Sequence, residues 1–250
     1  MVAGFEGFKA WFKGYEDQFV IIGGAACDIL MTEEGAGFRG TKDIDMVLMI
    51  ESLTADFGRR FWEYVKAGGY QHRNKSNGEP QFYRFTNPNS PDYPLMLELF
   101  SRRLDAIELP GDAVLTPLPL DDDLSSLSAI LMDDDYYSFL RAGRIVIDGM
   151  PILGAAHLIP LKAKAWLDLT ARKAAGESVD SRHIRKHKND VFRLVGVLTR
   201  NRQTDAPDSV KADLAEFCTA MQREDVDLKS MGVLGNKAEL LDRIMRAYSD

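Results

Sequence analysis

Cysteine is nearly absent from this chain: Cys27 and Cys218 are the only two in 250 residues, far apart and in no ligand spacing. That excludes a disulfide-stapled miniprotein and fits a cytoplasmic protein with reduced thiols. Long hydrophobic runs are missing as well. No apolar stretch approaches the ~18 residues of a membrane span, so no membrane association is expected. Met1 to Phe12 lack the basic flank, apolar stretch and small-residue cleavage site of a secretory signal. Net positive charge is also lacking. With 31 Lys and Arg against 38 Asp and Glu, the formal charge is −7, which argues against a general nucleic-acid coat. What is present, 45% hydrophobic and 28% charged residues, excludes a disordered or collagenous chain.

The charge is unevenly spread. Pro160 to Arg202 holds eleven Lys and Arg against four acids, a local +7 that leaves −14 for the rest of a chain of net −7. A compact basic element in an acidic protein is a candidate anion contact. The apolar pattern changes along the chain too. Short runs broken by Gly, Pro, Asn and Asp predict strands at Phe19–Ile22, Ile44–Ile50, Gln81–Thr86, Leu95–Phe100 and Ile145–Ile147, with helices at Ala25–Met31 and Leu53–Ala67. After His157 the spacing is helical, over Leu158–Lys173, Ser181–Thr199, Ser209–Arg223 and Lys237–Tyr248. The expectation is an α+β domain over 1–155, a mixed sheet with flanking helices, followed by a helical domain over 156–250.

The chemistry is concentrated in two stretches. A buried strand, Phe19–Ile22, runs into Gly23-Gly24 and a helix begins at once. Glycine there lets backbone amides approach a phosphate at the positive end of a helix. In the next strand, Asp43 and Asp45 alternate with apolar residues, so both carboxylates fall on one face. Two such carboxylates suit a divalent cation with oxygen ligands that keeps positions open for phosphate. The bland alternative is a strand-end ion pair with Arg39 or Lys42. A third acid, Glu98, is the lone charge in Leu95-Met-Leu-Glu-Leu-Phe100. It needs a metal or a buried Arg partner to offset its burial.

Strand, Gly-Gly, helix, then Asp-x-Asp on the next strand resembles the nucleotidyltransferase superfamily with the DNA polymerase beta-like fold. The finer pattern of Gly23, Gly24, Ala26, Arg39, Thr41, Asp43, Ile44 and Asp45 is similar to the abortive-infection toxin branch of AbiEii type. That family continues with a Lys on a later helix and a basic segment ending in Asp. Lys162, with Lys164 as alternate, and Arg182 to Asp190 look like those elements.

The resemblance implies a nucleotidyltransferase-fold enzyme that moves an NMP from an NTP to a hydroxyl acceptor, tRNA or protein, as the toxin of a toxin–antitoxin pair. It implies Mg²⁺ or Mn²⁺ held by Asp43, Asp45 and Glu98. Gly23, Gly24, Arg39, Thr41, Lys162, Arg185, Lys186 and Asp190 would serve the nucleotide in a site between the two domains. Two departures stand out: Ala25 occupies the place of the family's Thr or Ser, and Asn189 interrupts the Lys188–Asp190 pair. Ala25 favours the alternative of a non-catalytic module of this fold that binds nucleotide, RNA or a protein. A third reading is nucleic-acid binding through the basic helix.

Other signals carry less. Gly35-Ala-Gly-Phe-Arg-Gly40 fits the dinucleotide fingerprint, but it follows a helical stretch and leads into a strand, the reverse of the required order. His183 and His187 lie four apart among cations, which reads as a solvated basic face rather than a zinc site. Arg182, Arg185, Lys186 and Asn189 share that face, and it is expected to border the acidic cleft. Trp166 and Leu169, with Leu158, Leu161 and Ala165, form a core stripe. The runs Asp121–Asp123 and Asp133–Asp135 read as solvated loops or helix caps.

Overall fold

The computed structural model of the chain describes residues 2–38, 40–74, 82–101, 130–131, 133–199 and 203–249. They form two compact units. The first opens with helix α1 (Phe5–Trp11), strand β1 (Phe19–Ile22), helix α2 (Gly23–Glu33, up to Ile29) and strand β2 (Asp43–Leu48). Helix α3 (Ala55–Gly68) and strands β3 (Gln71–Asn74), β4 (Phe82–Thr86) and β5 (Met96–Phe100) follow, and the hairpin β6 (Arg144–Ile147) and β7 (Met150–Leu153) completes the unit. The seven strands make one mixed sheet in the order β3-β4-β5-β2-β1-β7-β6. β2 pairs with β5 and β1 with β7 in parallel; the other neighbours are antiparallel.

Register assigns the faces. Ile21 lies opposite Met46, Ile44 opposite Leu97 and Phe85 opposite Leu97, so these side chains share one face. An aromatic core packs on it. Phe8 of α1 and Phe12 at its C-cap lie 4.7 Å apart and meet Phe19 of β1 and Tyr64 of α3, with Phe12 also against Phe57, at ring separations of 5.3–6.1 Å. Phe61 of α3 reaches Phe85 of β4 at 5.3 Å. Thr54 starts α3 by accepting from the Phe57 amide, and Gly69 ends it in the left-handed region at φ 62°. With this face filled, the side chains at alternate positions of β1, β2, β4 and β5 are left to the other face.

The second unit is helical: the end of α2 from Leu30, then α4 (Asp134–Ala142), α5 (Ala155–Ala174), α6 (Ser181–Val197), α7 (Asp208–Arg223) and α8 (Lys237–Ala247). Caps follow the sequence. Asp133 accepts from the Asp135 and Tyr136 amides, Asp180 from Arg182 and Asn236 from Glu239. Asp133 is therefore the helix cap its acidic run suggested, while Asp121–Asp123 lie outside the described residues. Leu158, Leu161, Ala165, Trp166 and Leu169 are all buried, with Trp166 edge-on to Phe217 at 5.5 Å. Pro160 sits inside α5 without breaking it. It has no N–H to offer Ala156 four residues back, and the Tyr248 hydroxyl donates to that carbonyl instead. No described helix is long and apolar enough to cross a membrane.

The α+β sheet followed by helices is the expected fold class. Four elements were not foreseen: α1, β3, α4 and β7. Each is short, and α1 and β7 are held by partners distant in sequence.

Candidate active site

One row of residues crosses four adjacent strands on the sheet face opposite the aromatic core. On β4, Arg84 lies opposite Glu98 of β5; Glu98 lies opposite Asp45 of β2; Asp45 lies opposite Ile22, the last residue of β1. Gly23 follows at φ +67° and turns the chain into α2. A β-carbon at Gly23 would fall 1.7 Å from Asp45 Oδ2, so only glycine lets the aspartate sit against this turn. The strand–Gly–helix junction thus does more than open a helix: its missing side chain is the space that Asp45 occupies.

Glu98 is 6% exposed. Arg84 Nε donates to its Oε1 at 2.8 Å and Nη2 lies 2.7 Å from the same oxygen as an ion pair, while Asp45 lies opposite across the parallel pair of β2 and β5. Burial pushes the Glu98 carboxyl well above the usual carboxylate range, Asp45 pushes it further, and Arg84 pulls it back. The two alternatives for Glu98, partner of an Arg or member of an acid cluster, are both realised. Arg84 was missed in the sequence. The available signal was a lone Arg among aromatics, Phe82-Tyr-Arg-Phe85, in a predicted strand.

Asp43 shares the face of Asp45 but pairs with Met96, one strand repeat, or about 6.6 Å, from the acid pair. Among the described residues, no three His, Cys, Asp or Glu side chains converge as a metal-ligand group. The row joins two of the three expected acids; the third stands beside it. Thr41 is half-buried just before β2, and Arg39 lies outside the described residues.

Oxygen donors only, two of them pressed together on a face that keeps Asp43 and Asp45 partly exposed, are the chemistry of a hard divalent cation. Oxygen donors of this kind suit Mg²⁺ or Mn²⁺, while the described residues bring together two carboxyls rather than a full ligand group. Asp45, Glu98 and Asp43 are the residues that would hold the cation.

The second unit places its candidates differently. Asp190 is fully buried between Lys162 (3.4 Å) and Arg193 (3.5 Å). Lys162 itself is 5% exposed, and Lys164 is engaged by Asp213 at 2.8 Å. Both Lys positions and Asp190 are thus joined in ion pairs inside this unit. On α6, Arg182 holds Asp180 and drives that carboxyl down to about 2, Arg185 is exposed and Lys186 half-buried. His187 corrects the expectation of a solvated pair: it is 8% exposed, because it falls near the packed stripe of Val191, Leu194 and Val195. Gly35 to Gly40 follows α2 and precedes β2, the order that argued against a dinucleotide site.

No protein-family model matches the sequence, and no curated protein matches it. Solved structures do show similarity. An antigenic nucleotidyltransferase-like protein from Paracoccidioides brasiliensis is 14% identical over 94% of this chain and 93% of its own, with a TM-score of 0.45. The antibiotic-resistance factor ANT(2'')-Ia is 13% identical over 87% and 90%, at 0.40. A cytoplasmic RNA terminal U-transferase is 12% identical over 90% and 66%, at 0.34.

Proposed function

We infer that this chain is a metal-dependent nucleotidyltransferase that moves an NMP from an NTP to a hydroxyl acceptor. The observation that carries the reading is the row Arg84–Glu98–Asp45–Gly23. It sets two acids in contact beside a glycine turn at the start of a helix. Paired carboxyls with a strongly raised member mark candidate functional sites.

In this reading Asp43 and Asp45 bind the cation. When bound, that cation offsets charge on the transferring phosphate. Gly23 and Gly24 present backbone amides to the triphosphate. Glu98 accepts the proton of the acceptor hydroxyl or completes the cation's shell. Electrostatic stabilisation supplies most of the acceleration in such transfers, so the acid pair and the backbone donors matter more than any nucleophile of the protein. The exposed Arg185 of α6 offers positive charge to an RNA acceptor. The toxin role, the tRNA or protein acceptor and the antitoxin partner rest on the resemblance carried by Gly23 to Asp45, Lys162 and Arg182 to Asp190.

The test is incubation of the full chain with each labelled NTP, Mg²⁺ and a tRNA pool or lysate. Label should pass to one acceptor class, and Asp45→Asn should lower the rate by about 10²–10³-fold while the fold persists. Transfer unchanged in Asp45→Asn would sink the reading. A second reading, the same fold as a non-catalytic nucleotide-binding module, is favoured by Ala25, fully buried and without the hydroxyl of the resembled family. NTP binding with no labelled acceptor would select it.

A further inference from the structure

The sheet ends at β6, the outer strand of the β6–β7 hairpin. We propose that β6 is an interaction surface that pairs antiparallel with β6 of a second copy of this chain, about a two-fold axis at Val146.

The exposure of the strand is the first observation. Ile145 and Val146 are 41% and 54% exposed. As neighbours in a strand they point to opposite faces, so neither face of β6 is covered at its centre. The other edge strand, β3, reads Gln-His-Arg-Asn, polar throughout, whereas β6 reads Arg-Ile-Val-Ile, with no lysine or proline to discourage pairing.

The backbone is the second observation. Asp148 at φ 48° and Gly149 at φ 73° are both left-handed, as the central residues of a two-residue I′ hairpin turn must be. Ile147 and Met150 flank that turn as a hydrogen-bonded pair, so the next pair, Val146 and Pro151, is non-hydrogen-bonded. Pro151, which has no N–H, sits where none is asked for toward β6. The N–H and C=O of Val146 therefore point away from β7, and no described residue takes them up.

A second copy satisfies this edge by symmetry. A two-fold axis perpendicular to the sheet keeps like faces together, so each residue meets one of its own parity. Centred on Val146, it joins the N–H and C=O of Val146 to the C=O and N–H of Val146 in the copy. Ile145 then lies opposite Ile147 of the copy, and Arg144 opposite Asp148 of the copy, so apolar meets apolar and each charge meets its opposite at both ends. Centred on Ile145, the axis would leave Arg144 opposite Val146. Arg144 also donates to the Glu16 carbonyl, and Asp148 is paired with Lys9. Their charges therefore set the register more than the affinity. A ladder of four residues buries less than a standard interface, so association should be weak, with a Kd of roughly 10–100 µM.

The test is sedimentation equilibrium of the full chain over about 5–500 µM, with circular dichroism to follow folding. The wild type should show a monomer–dimer equilibrium. Val146→Lys sets two like charges face to face at the axis and should weaken it about tenfold or more. Val146→Thr keeps a β-branched residue and should stay within about threefold of the wild type. Val146→Cys should form an intermolecular disulfide on mild oxidation, because the facing Cα atoms would be about 5.5 Å apart. Ile145→Cys should not, since its Cα and that of its copy would be about 8 Å apart. The wild type is the blank, as Cys27 and Cys218 are both buried. A wild type that stays monomeric across the range overturns the proposal and leaves the edge to a different partner. Folded Val146→Lys that associates like the wild type, or cross-linking through Ile145→Cys in place of Val146→Cys, also overturns it. If Val146→Lys does not fold, the two cysteine variants decide.

Discussion

Glu98 on the sheet and Asp190 in the helical unit are both buried carboxyls, and their surroundings differ in sign. Asp190 sits between Lys162 and Arg193, one acid with two cations, and is fully buried. Glu98 has one cation and a second acid, Asp45. The first arrangement carries a surplus of positive charge, two cations on one acid. The second sets two carboxyls side by side, and burial with the neighbouring Asp45 raises the Glu98 carboxyl well above the usual carboxylate range. Burial alone thus does not mark a function; the two clusters differ in the sign of their surplus charge. Lys162 and Asp190, the residues that looked like nucleotide contacts in the sequence, are matched to each other. Arg84, which did not stand out, is the partner of Glu98 on the sheet.

This contrast can be broken by mutation. The largest effect is expected from Asp190→Ala, which strands Lys162 and Arg193 inside the helical unit and should cost about 3 kcal/mol or more in chemical denaturation. A loss below about 1 kcal/mol would show that water already serves these cations. Gly23→Ala comes next. It forces a β-carbon into a left-handed position and against Asp45 Oδ2, and should cost about 2 kcal/mol together with Mn²⁺ binding. An alanine variant of wild-type stability and Mn²⁺ affinity would remove Gly23 from the site.

Glu98→Gln should behave in the opposite way to Asp190→Ala. It keeps an acceptor for Arg84 and abolishes the repulsion with Asp45, so the melting temperature in EDTA should stay level or rise. The sign with pH follows. The folded carboxyl is raised above its unfolded value, so the folded chain retains a proton that the unfolded chain has lost. Its stabilising contribution is complete below the ordinary carboxylate range and is lost as pH climbs through the raised value. Melting temperature against pH should show that decline in the wild type and not in Glu98→Gln; parallel curves would contradict it. The smallest effect concerns Cys218. Burial lifts its thiol to about 12, so the folded chain should resist alkylation at pH 8 and react only after denaturation. Modification of Cys218 at the rate of a free thiol would place it in a part of the helical unit that opens readily.

The sequence by itself determined the periodicity-driven parts. Phe19–Ile22 is a strand and Ser181–Val197 a helix capped by Asp180, as alternation and capping predict. Asp43 and Asp45 share a face because strands repeat every two residues. Those are local properties, written in neighbouring residues. Tertiary structure alone decided which charges meet. Arg84 and Glu98 are fourteen residues apart, and Glu98 and Asp45 are more than fifty apart. Their contact depends on two strand registers and on the order β4-β5-β2-β1, which no local pattern encodes. The same holds for Lys162 and Asp190, joined by the packing of α5 on α6. Backbone periodicity tells where a side chain can point, but register tells which opposite charge or like charge it finds there.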